Sequence, residues 1–341
     1  MDSEQLHETA KALVAEGKGI LAADESSGTI EKRFDAIGVE STEENRRAYR
    51  DLLFTTDGAE DYISGVILFD ETIRQSTEDR TPFPKALEQR GIIPGIKVDM
   101  GAKPLALSPE ETITEGLDGL RERLEEYREL GARFAKWRAV LSIKGDHIPS
   151  DYAIWTNAHA LARYAALCQE AGLVPIVEPE VLMDGDHPIE RCDQASRDTL
   201  ATVFAALRRH RVRLDGMLLK PNMVLSGSDC PTQAGAGEVA AATLACLRDT
   251  VPASVPGIVF LSGGQSDQTA TANLNAMNRL GGAPWQLSFS YGRALQAPAL
   301  KAWKGEPANR QAAQRAFYHR ARLNGAARSG SWTEEMETAD V

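Results

Sequence analysis

The sequence predicts a single-domain (β/α)8 barrel (TIM barrel), and three observations support this fold class. Eight short runs rich in Val, Ile, Leu and Phe recur along the chain. Segments with helical patterns separate these runs, which is typical of repeated βα units around a parallel sheet. The 341 residues are also enough for eight such units, which usually take about 250 residues or more. A doubly wound open sheet is the alternative architecture.

The eight candidate strands follow one another at similar spacing. In chain order they are GILAADE from Gly19, GVILFDE from Gly65, IPGIKVD from Ile93, FAKWRAV from Phe134, VPIVEPEV from Val174, GMLLKPNMV from Gly216, GIVFLSGG from Gly257 and QLSFSYG from Gln286. No linker rich in Gly, Ser or Pro divides the chain. We therefore expect one barrel over residues about 18–322 and a polar C-terminal tail over about 323–341.

Helix start signals lie between the candidate strands. Ser41-Thr42-Glu43-Glu44 is a capping box, and Ser108-Pro109-Glu110-Glu111 combines the same pattern with proline at the first helical position. Gly131 follows the charged run LRERLEEYREL as a stop signal. Two alanine-rich segments, DYAIWTNAHALARYAALCQEAG and TQAGAGEVAAATLACLRD, are expected to form helices that pack closely on the sheet.

Composition and charge exclude several classes of partner and site. The formal net charge of -11 disfavours nucleic acid and anionic membranes, which are themselves polyanions. The four cysteines form no CxxC pair, and the six histidines show no metal-binding spacing, so a zinc site or a disulfide framework is not indicated. The N-terminus has mixed charge, and no apolar stretch reaches membrane-spanning length. We expect a cytoplasmic protein without a metal or other cofactor.

Polar residues follow several candidate strands, where a barrel of this kind collects its functional groups. The first run ends in Asp24-Glu25-Ser26-Ser27-Gly28, which could form part of a site or simply cap a helix. The third and fourth runs carry Lys97 with Asp99 and Lys136 with Arg138. Strand residues two apart share a face, so the members of each pair point in the same direction.

We expect Lys136 and Arg138 to point into the barrel. If they pointed outward they would be buried beneath the helices, where each charge would need a partner of opposite sign. A structural salt bridge to Glu178 or Glu180 is the competing interpretation. Those two glutamates share one face of the fifth run, and Pro179 between them is expected to mark the end of that strand. Adjacent carboxylates suit proton transfer because neighbouring charges adjust their affinity for protons.

The sixth run places Lys220 directly after apolar residues and before Pro221. Its amine would therefore rise from the apolar barrel wall into the polar mouth. Burial and a neighbouring cation such as Lys136 would both favour the neutral amine, which can attack a carbonyl carbon. A lone lysine at a strand end is more often an end residue with a solvated amine. The surrounding polar residues favour the catalytic interpretation.

The seventh and eighth runs end in glycine-rich segments. Ser262-Gly263-Gly264-Gln265 and Ser288-Phe289-Ser290-Tyr291-Gly292-Arg293 follow these runs. Loops at these two positions commonly bind phosphate in such barrels, because glycines let backbone N–H groups approach an anion closely. A glycine pair alone indicates only a turn.

Together these residues resemble the class I fructose-bisphosphate aldolase family, from about Lys18 to about Arg322. The matching motifs, in the family's order, are GILAADES, TEENRRAYR, GIKVD, LDGL, FAKWR, VEPE, LLKPNMV, FLSGGQS and FSYGRALQ. The resemblance implies a reversible retro-aldol cleavage of fructose 1,6-bisphosphate through a lysine Schiff base. It also implies sugar phosphates as ligands, a homotetramer and no metal ion.

The resemblance assigns a role to each matching position. Lys220 would form the Schiff base, Glu178 would be its general acid/base, and Lys136 would assist the proton transfers. Asp24 would accept the proton of the hydroxyl on carbon four. Glu180 would be the second acid of the Glu178–Glu180 pair. Residues that match substrate contacts are, for the phosphate on carbon one, Ser262, Gly263, Ser290, Gly292 and Arg293; for the distal phosphate, Ser26, Thr29 and Lys97; and, as further basic contacts, Arg33 and Arg138.

Two departures and three alternatives accompany this interpretation. Thr29 stands where many members have serine, and the chain ends in Val341 without the terminal tyrosine of many animal members. The alternatives are a Schiff-base enzyme for another sugar phosphate, such as a transaldolase or an enzyme for sedoheptulose 1,7-bisphosphate, a metal-dependent aldolase, and a non-catalytic scaffold of the same fold.

Overall fold

The described part of the chain, residues 3–339 of a computed structural model, contains ten strands. They are β1 (Gly19–Ala23), β2 (Ile63–Leu68), β3 (Ile93–Lys97), β4 (Ala102–Leu105), β5 (Ser108–Thr114), β6 (Phe134–Leu141), β7 (Val174–Val181), β8 (Leu218–Leu219), β9 (Gly257–Phe260) and β10 (Gln286–Tyr291). Eight of them close into a parallel barrel in the order β1-β10-β9-β8-β7-β6-β3-β2, while β4 and β5 form a separate antiparallel hairpin. The predicted (β/α)8 barrel is confirmed, and each predicted run contributes one barrel strand.

Twelve α-helices in the described residues accompany the strands. They are α1 (Ser3–Leu13), α2 (Ser27–Asp35), α3 (Glu43–Phe54), α4 (Asp70–Ile73), α5 (Phe83–Gln89), α6 (Leu120–Glu129), α7 (Asp151–Glu170), α8 (Ile189–Arg209), α9 (Ala236–Thr250), α10 (Asp267–Leu280), α11 (Arg293–Trp303) and α12 (Arg310–Arg328). Short 3-10 helices cover Ala59–Asp61, Leu214–Gly216, Pro307–Asn309 and Glu334–Glu337. Within residues 3–339, every helix is too short or too polar to cross a bilayer.

The barrel interior is apolar at one end and charged at the other. Apolar side chains from the barrel strands pack against α1 in one buried cluster, which closes the N-terminal end; they are Ile20, Ala22, Ile67, Phe134, Val174, Ile176, Leu218 and Val259. Alternation along a strand then carries the same inward face to Asp24, Lys136, Glu178 and Lys220. The strands thus direct charged side chains only toward the C-terminal end.

Two glycines make room for large side chains in the apolar interior layer. A Cβ atom placed on Gly95 would lie 2.3 Å from the ring of Phe134, and one on Gly65 would lie 2.6 Å from Leu13 of α1. Both distances are far below van der Waals contact, so no larger residue fits without displacing the interior. These glycines are required by close packing across the barrel, not by backbone conformation.

The predicted strand end at Pro179 is wrong. Strand β7 continues to Val181, and Pro179 pairs in register with Ala139 of β6. The Val181 N–H faces β8, where it donates to the Asn222 side chain at 3.0 Å, so the nitrogen of Pro179 faces the same side. Strand β8 has already ended there, opposite Val177. The missing N–H of the proline therefore costs no ladder bond.

The helix predicted at Ser108 is also wrong, because residues 108–114 form β5 of the hairpin. Ser108 does donate to Glu111 at 2.8 Å, but Glu111 also accepts from the backbone N–H and the hydroxyl of Ser150 at 2.7 and 2.6 Å. The following β-branched residues favour a strand, and Thr114 donates to the Arg138 carbonyl at 2.8 Å. Tertiary contacts thus override the local helix signal.

The other helix signals agree with the structure. Thr42 is the N-cap of α3 and accepts from the Asn45 N–H. The charged run forms α6, and Gly131 follows it with a φ of 110°. The two alanine-rich segments form α7 and α9.

The expected tail boundary at about residue 323 falls inside α12. Leu323 and Ala327 of that helix are fully buried, because the helix packs against α10 and α11. Further on, Glu337 pairs with the buried Arg320 and accepts from the Trp332 indole at 3.1 Å. The segment after the expected boundary is thus anchored as far as Glu337. Asp340 and Val341, the end of the predicted tail, lie outside the described residues.

Candidate active site

A cavity of about 1030 Å³ opens at the C-terminal end of the barrel. Eight basic and eight acidic side chains line it, so its formal charge is balanced although the whole chain carries -11. The structure brings all fifteen predicted site residues to its wall, namely Asp24, Ser26, Thr29, Arg33, Lys97, Lys136, Arg138, Glu178, Glu180, Lys220, Ser262, Gly263, Ser290, Gly292 and Arg293. None of the predicted positions lies elsewhere.

Lys136 is the centre of a buried ion cluster at the cavity floor. Its Nζ atom lies 2.6 Å from Asp24 Oδ2, 3.5 Å from Glu178 Oε2 and 3.9 Å from Asp99 Oδ2. The residue is 4% exposed, so its charge would be costly to bury without these partners. The inward direction predicted for this lysine and the competing salt bridge to Glu178 both hold.

The ion cluster shifts the proton affinities of its members in opposite directions. Burial alone would lower the pKa of Lys136, but the carboxylates of Asp24, Glu178 and Asp99 raise it well above its ordinary value. Burial would likewise raise the pKa of Asp24, but Lys136 and Lys220 hold it well below its usual range. At neutral pH the cluster therefore contains an ammonium group and a carboxylate that both strongly retain their charge.

Lys220 lies beside this cluster, with one carboxylate as its partner. Its Nζ atom is 3.2 Å from Glu178 Oε1, and its backbone N–H donates to the Val177 carbonyl at 2.8 Å. Pro221 follows and has no N–H, which fits the end of β8 at this point. The sequence suggested that Lys136 acts on Lys220 as a neighbouring cation. In the structure Glu178 lies within ion-pair distance of both lysines, which therefore share one carboxylate partner.

Glu178 is positioned to exchange protons. The residue is 3% exposed, and its Oε2 atom has no hydrogen-bond partner among residues 3–339. One oxygen therefore lies within reach of Lys220, while the other remains available as an acceptor. Its neighbour along the strand, Glu180, pairs instead with the half-exposed Arg138. The two glutamates are both buried but have different partners.

The loops after β9 and β10 form one possible anion site. Gly263 has a φ of 56°, and the buried Ser290 hydroxyl has no partner within the described residues. Arg293 is the first residue of α11, and it donates to the Gly263 and Gln265 carbonyls at 3.1 and 2.6 Å. A helix N-terminus with free N–H groups and an adjacent guanidinium group favours an anion.

The start of α2 offers a second polar site in the cavity. Ser26 occupies the N-cap position, yet its side chain makes no capping bond; its hydroxyl lies 3.1 Å from that of Thr29. Ser26 therefore stands at the N-cap position of α2 but does not cap the helix with its side chain. Lys97 lies at the end of β3 and pairs with Asp99 at 2.8 Å. Two hydroxyls, a helix start and a lysine are suitable groups for an oxyanion.

Sequence reasoning did not select Asp99 or Glu25 as site residues. Asp99 touches two lysines of the site and accepts the backbone N–H of Arg138 at 3.2 Å. Its position two residues after Lys97 was the available signal. Glu25 is buried and pairs with Arg33 and Arg50, which no local pattern indicates. Among residues 3–339, no three His, Cys, Asp or Glu side chains are grouped so as to hold a metal ion.

Comparisons with known proteins agree with this geometry. The sequence model of "Fructose-bisphosphate aldolase class-I" matches residues 5–341. A protein of Xanthomonas campestris pv. campestris, named probable fructose-bisphosphate aldolase class 1, is 62% identical over 333 residues, which cover 97% of this chain and 99% of that protein. Fructose-bisphosphate aldolase 1 of Toxoplasma gondii is 57% identical over 333 residues, covering 97% of this chain and 91% of its own.

A solved structure is similar over the same length. It is fructose-bisphosphate aldolase from Plasmodium falciparum, in a ternary complex with TRAP and a small-molecule inhibitor. The TM-score is 0.95 at 51% sequence identity, covering 97% of this chain and 95% of that one. The fold, the order of the motifs and the near full-length match agree, and this chain belongs to the class-I fructose-bisphosphate aldolase family.

Proposed function

We propose that this lyase of the class-I fructose-bisphosphate aldolase family cleaves fructose 1,6-bisphosphate reversibly through a Schiff base on Lys220. The observation that carries the proposal is the pair formed by Lys220 and Glu178. The amine lies at the floor of a cavity of about 1030 Å³, with a carboxylate oxygen 3.2 Å from its Nζ. A buried amine needs such a neighbour to remove a proton before it can attack a carbonyl carbon.

Formation of the Schiff base requires two proton transfers near Glu178. Lys220 Nζ adds to the ketone at carbon two, and the resulting carbinolamine loses water after its hydroxyl is protonated. Glu178 can accept the amine proton and return one to that hydroxyl, since its Oε2 has no hydrogen-bond partner among residues 3–339. Lys136, 3.5 Å from this oxygen, is the neighbouring cation of the Glu178 carboxylate before the first transfer and after the second.

Cleavage of the bond between carbons three and four follows from the positive charge on the imine. Asp24 accepts the proton of the hydroxyl on carbon four, and the bonding electrons move to the iminium nitrogen to give an enamine. Since Lys136 and Lys220 hold the pKa of Asp24 well below its usual range, this carboxylate is a weak base. The electron-withdrawing iminium is therefore essential, and it supplies the positive charge that a metal ion would otherwise supply.

The products follow by atom balance. Glyceraldehyde 3-phosphate leaves with carbons four to six. The enamine takes up a proton at carbon three, and water then hydrolyses the imine to release dihydroxyacetone phosphate and Lys220. The two possible anion sites are formed by different loops of the cavity, which supports a substrate with two phosphates. In this proposal Ser262, Gly263, Ser290, Gly292 and Arg293 bind one phosphate, Ser26, Thr29 and Lys97 bind the other, and Arg33, Arg138 and Glu180 complete the wall.

Borohydride trapping tests the proposal. Reduction in the presence of dihydroxyacetone phosphate should attach the three-carbon phosphate irreversibly to Lys220, as found by peptide mass mapping. Lys220→Met should give no adduct, whereas Lys144→Met, which changes a surface lysine 3.1 Å from Glu110, should give the wild-type adduct. An adduct on any other lysine, or none in the wild type, would refute the mechanism. Parallel kinetics with sedoheptulose 1,7-bisphosphate would measure the preference between sugar phosphates.

We also propose a cytoplasmic homotetramer. The free cysteines Cys168, Cys192, Cys230 and Cys246 suit a reducing compartment. Leu107 at the hairpin turn is fully exposed, and Tyr152 and Trp155 on the adjoining α7 are 47% and 57% exposed. Large exposed apolar side chains such as these support contact with another subunit. Sedimentation of the purified protein measures the assembly, and a monomer at micromolar concentration would contradict it.

A further inference from the structure

A buried carboxylate forms part of the cavity wall next to Asp24. Glu25 follows Asp24, and alternation directs it away from the barrel interior, toward α2, α3 and α11. Its side chain is 5% exposed. Oε1 accepts from Arg33 and from Gln296 Nε2, the latter at 2.8 Å, and Oε2 accepts from Arg50. Both oxygens of this carboxylate are therefore engaged.

The two arginines on Glu25 differ in their surroundings. The Arg50 side chain is 3% exposed and also donates to Gln296 Oε1 at 3.3 Å. Gln296 in turn donates to the Ala22 carbonyl at 2.8 Å, which ties the group to the end of β1. The Arg33 side chain is 25% exposed and lines the cavity. Arg50 alone suffices to neutralise Glu25, so the charge of Arg33 remains uncompensated at the cavity wall.

Arg33 faces the start of α11. Its Nη2 atom would lie 3.8 Å from a Cβ atom placed on Gly292, the N-cap residue of that helix, which has no side-chain cap. A guanidinium group and the free N–H groups of a helix start thus face the same part of the cavity. This arrangement suits a phosphate group, to which arginine can donate two hydrogen bonds while it keeps its contact with a carboxylate.

Glu25 is held in its ionised form by its two arginine partners. Burial by itself would raise the pKa of Glu25, but Arg50 and Arg33 hold it below its ordinary value. The carboxylate can therefore hold the Arg33 side chain in one orientation before any ligand binds. A free arginine side chain loses conformational entropy when it is fixed, and that cost no longer opposes binding if the side chain is already ordered.

We infer that Glu25 is a positioning residue, which orients the Arg33 guanidinium group so that it binds the substrate phosphate located beside Gly292. This inference rests on the function proposed above, because it requires a phosphorylated substrate in the cavity. It assigns Glu25 no contact with the reacting atoms. Its effect is on the affinity for phosphate and not on the chemistry at Lys220.

Steady-state kinetics of Glu25→Gln test this role. We expect KM for fructose 1,6-bisphosphate to rise about tenfold or more, the factor that corresponds to roughly one charge-assisted hydrogen bond, while kcat stays within about threefold. Arg33→Gln should raise KM by a similar factor. In the double variant Glu25→Gln/Arg33→Gln the two increases should not multiply, because both changes remove the same interaction. Glu71→Gln is the matched control, since its partner Arg46 does not line the cavity.

Two results would overturn the inference: multiplicative effects in the double variant, or a lowered kcat with unchanged KM. Because Glu25→Gln leaves the buried Arg50 without a carboxylate, the variant Glu25→Gln/Arg50→Gln removes both charges together and should show the same rise in KM. If the single variant does not fold, the paired variant decides the question by the same criterion. Borohydride trapping on wild-type Lys220 is measured alongside, so that failure of the proposed function is distinguished from failure of the positioning role.

Discussion

Replacement of Lys136 by methionine should expose how the ion cluster contributes to stability. Three lysines and three carboxylates at the cavity floor balance in formal charge, namely Lys97, Lys136, Lys220, Asp24, Asp99 and Glu178. The change leaves one uncompensated negative charge in a region where Lys136 itself is 4% exposed. Breaking a buried pair from one side typically costs about 3–5 kcal/mol. With roughly 2.1 cal/mol/K of unfolding entropy per residue, the melting temperature should fall by about 4–7 °C.

The pH dependence identifies the cause of this loss. The pKa of Asp24 is lowered by Lys136 and Lys220 against the effect of burial, so its contribution is present above the unfolded value and lost as pH falls through the lowered pKa. The pKa of Lys136 is raised by its carboxylates against burial, so its contribution is present below the unfolded value and lost as pH rises through the raised pKa. The wild-type ion pair should therefore stabilise the fold unchanged from about pH 5 to about pH 9.

In the variant, by contrast, the unpaired carboxylates can be neutralised by protons, so the difference in melting temperature from wild type should be smaller at pH 5 than at pH 8. Differential scanning calorimetry at both pH values measures it, with exposed Lys103→Met as the control that should change little. A difference that is the same at both pH values would refute the explanation by unpaired carboxylates. A variant as stable as wild type would refute the cluster's role altogether.

Two further predictions concern packing and thiol chemistry. Gly95→Ala should destabilise the barrel by about 1–3 kcal/mol, because its Cβ would lie 2.3 Å from the Phe134 ring; chemical denaturation measures this, and loss of the penalty in a Phe134→Leu background would confirm the clash. Burial raises the pKa of the Cys246 thiol to about 12, so iodoacetamide at pH 8 should modify the half-exposed Cys230 first. Equal labelling by mass spectrometry would contradict the assignment of Cys246 as an inert buried thiol.

Much of the barrel could be predicted because its signals are local. Each strand is a short apolar run, and the spacing of two residues along a strand correctly placed Lys136 with Arg138 and Glu178 with Glu180 on the cavity side. The hairpin at Ser108 could not be predicted, because its capping-box pattern is a genuine helix signal. What decides the outcome there is Ser150, distant in sequence, whose N–H and hydroxyl bind Glu111 at 2.7 and 2.6 Å. The strand end predicted at Pro179 was wrong for a similar reason. Whether its missing N–H costs a hydrogen bond depends on the length of the neighbouring strand β8, which ends before Pro179.

The sequence by itself determined the fold class, the positions of the polar strand ends and the family resemblance that joins them, because alternation and motif order are properties of the chain alone. Only the tertiary structure decided how the charges are partnered. It places Glu178 beside both Lys136 and Lys220, and it pairs Glu25 with both Arg33 and Arg50. Ion pairing depends on distances of a few ångströms between residues far apart in the chain, and no local pattern encodes those distances.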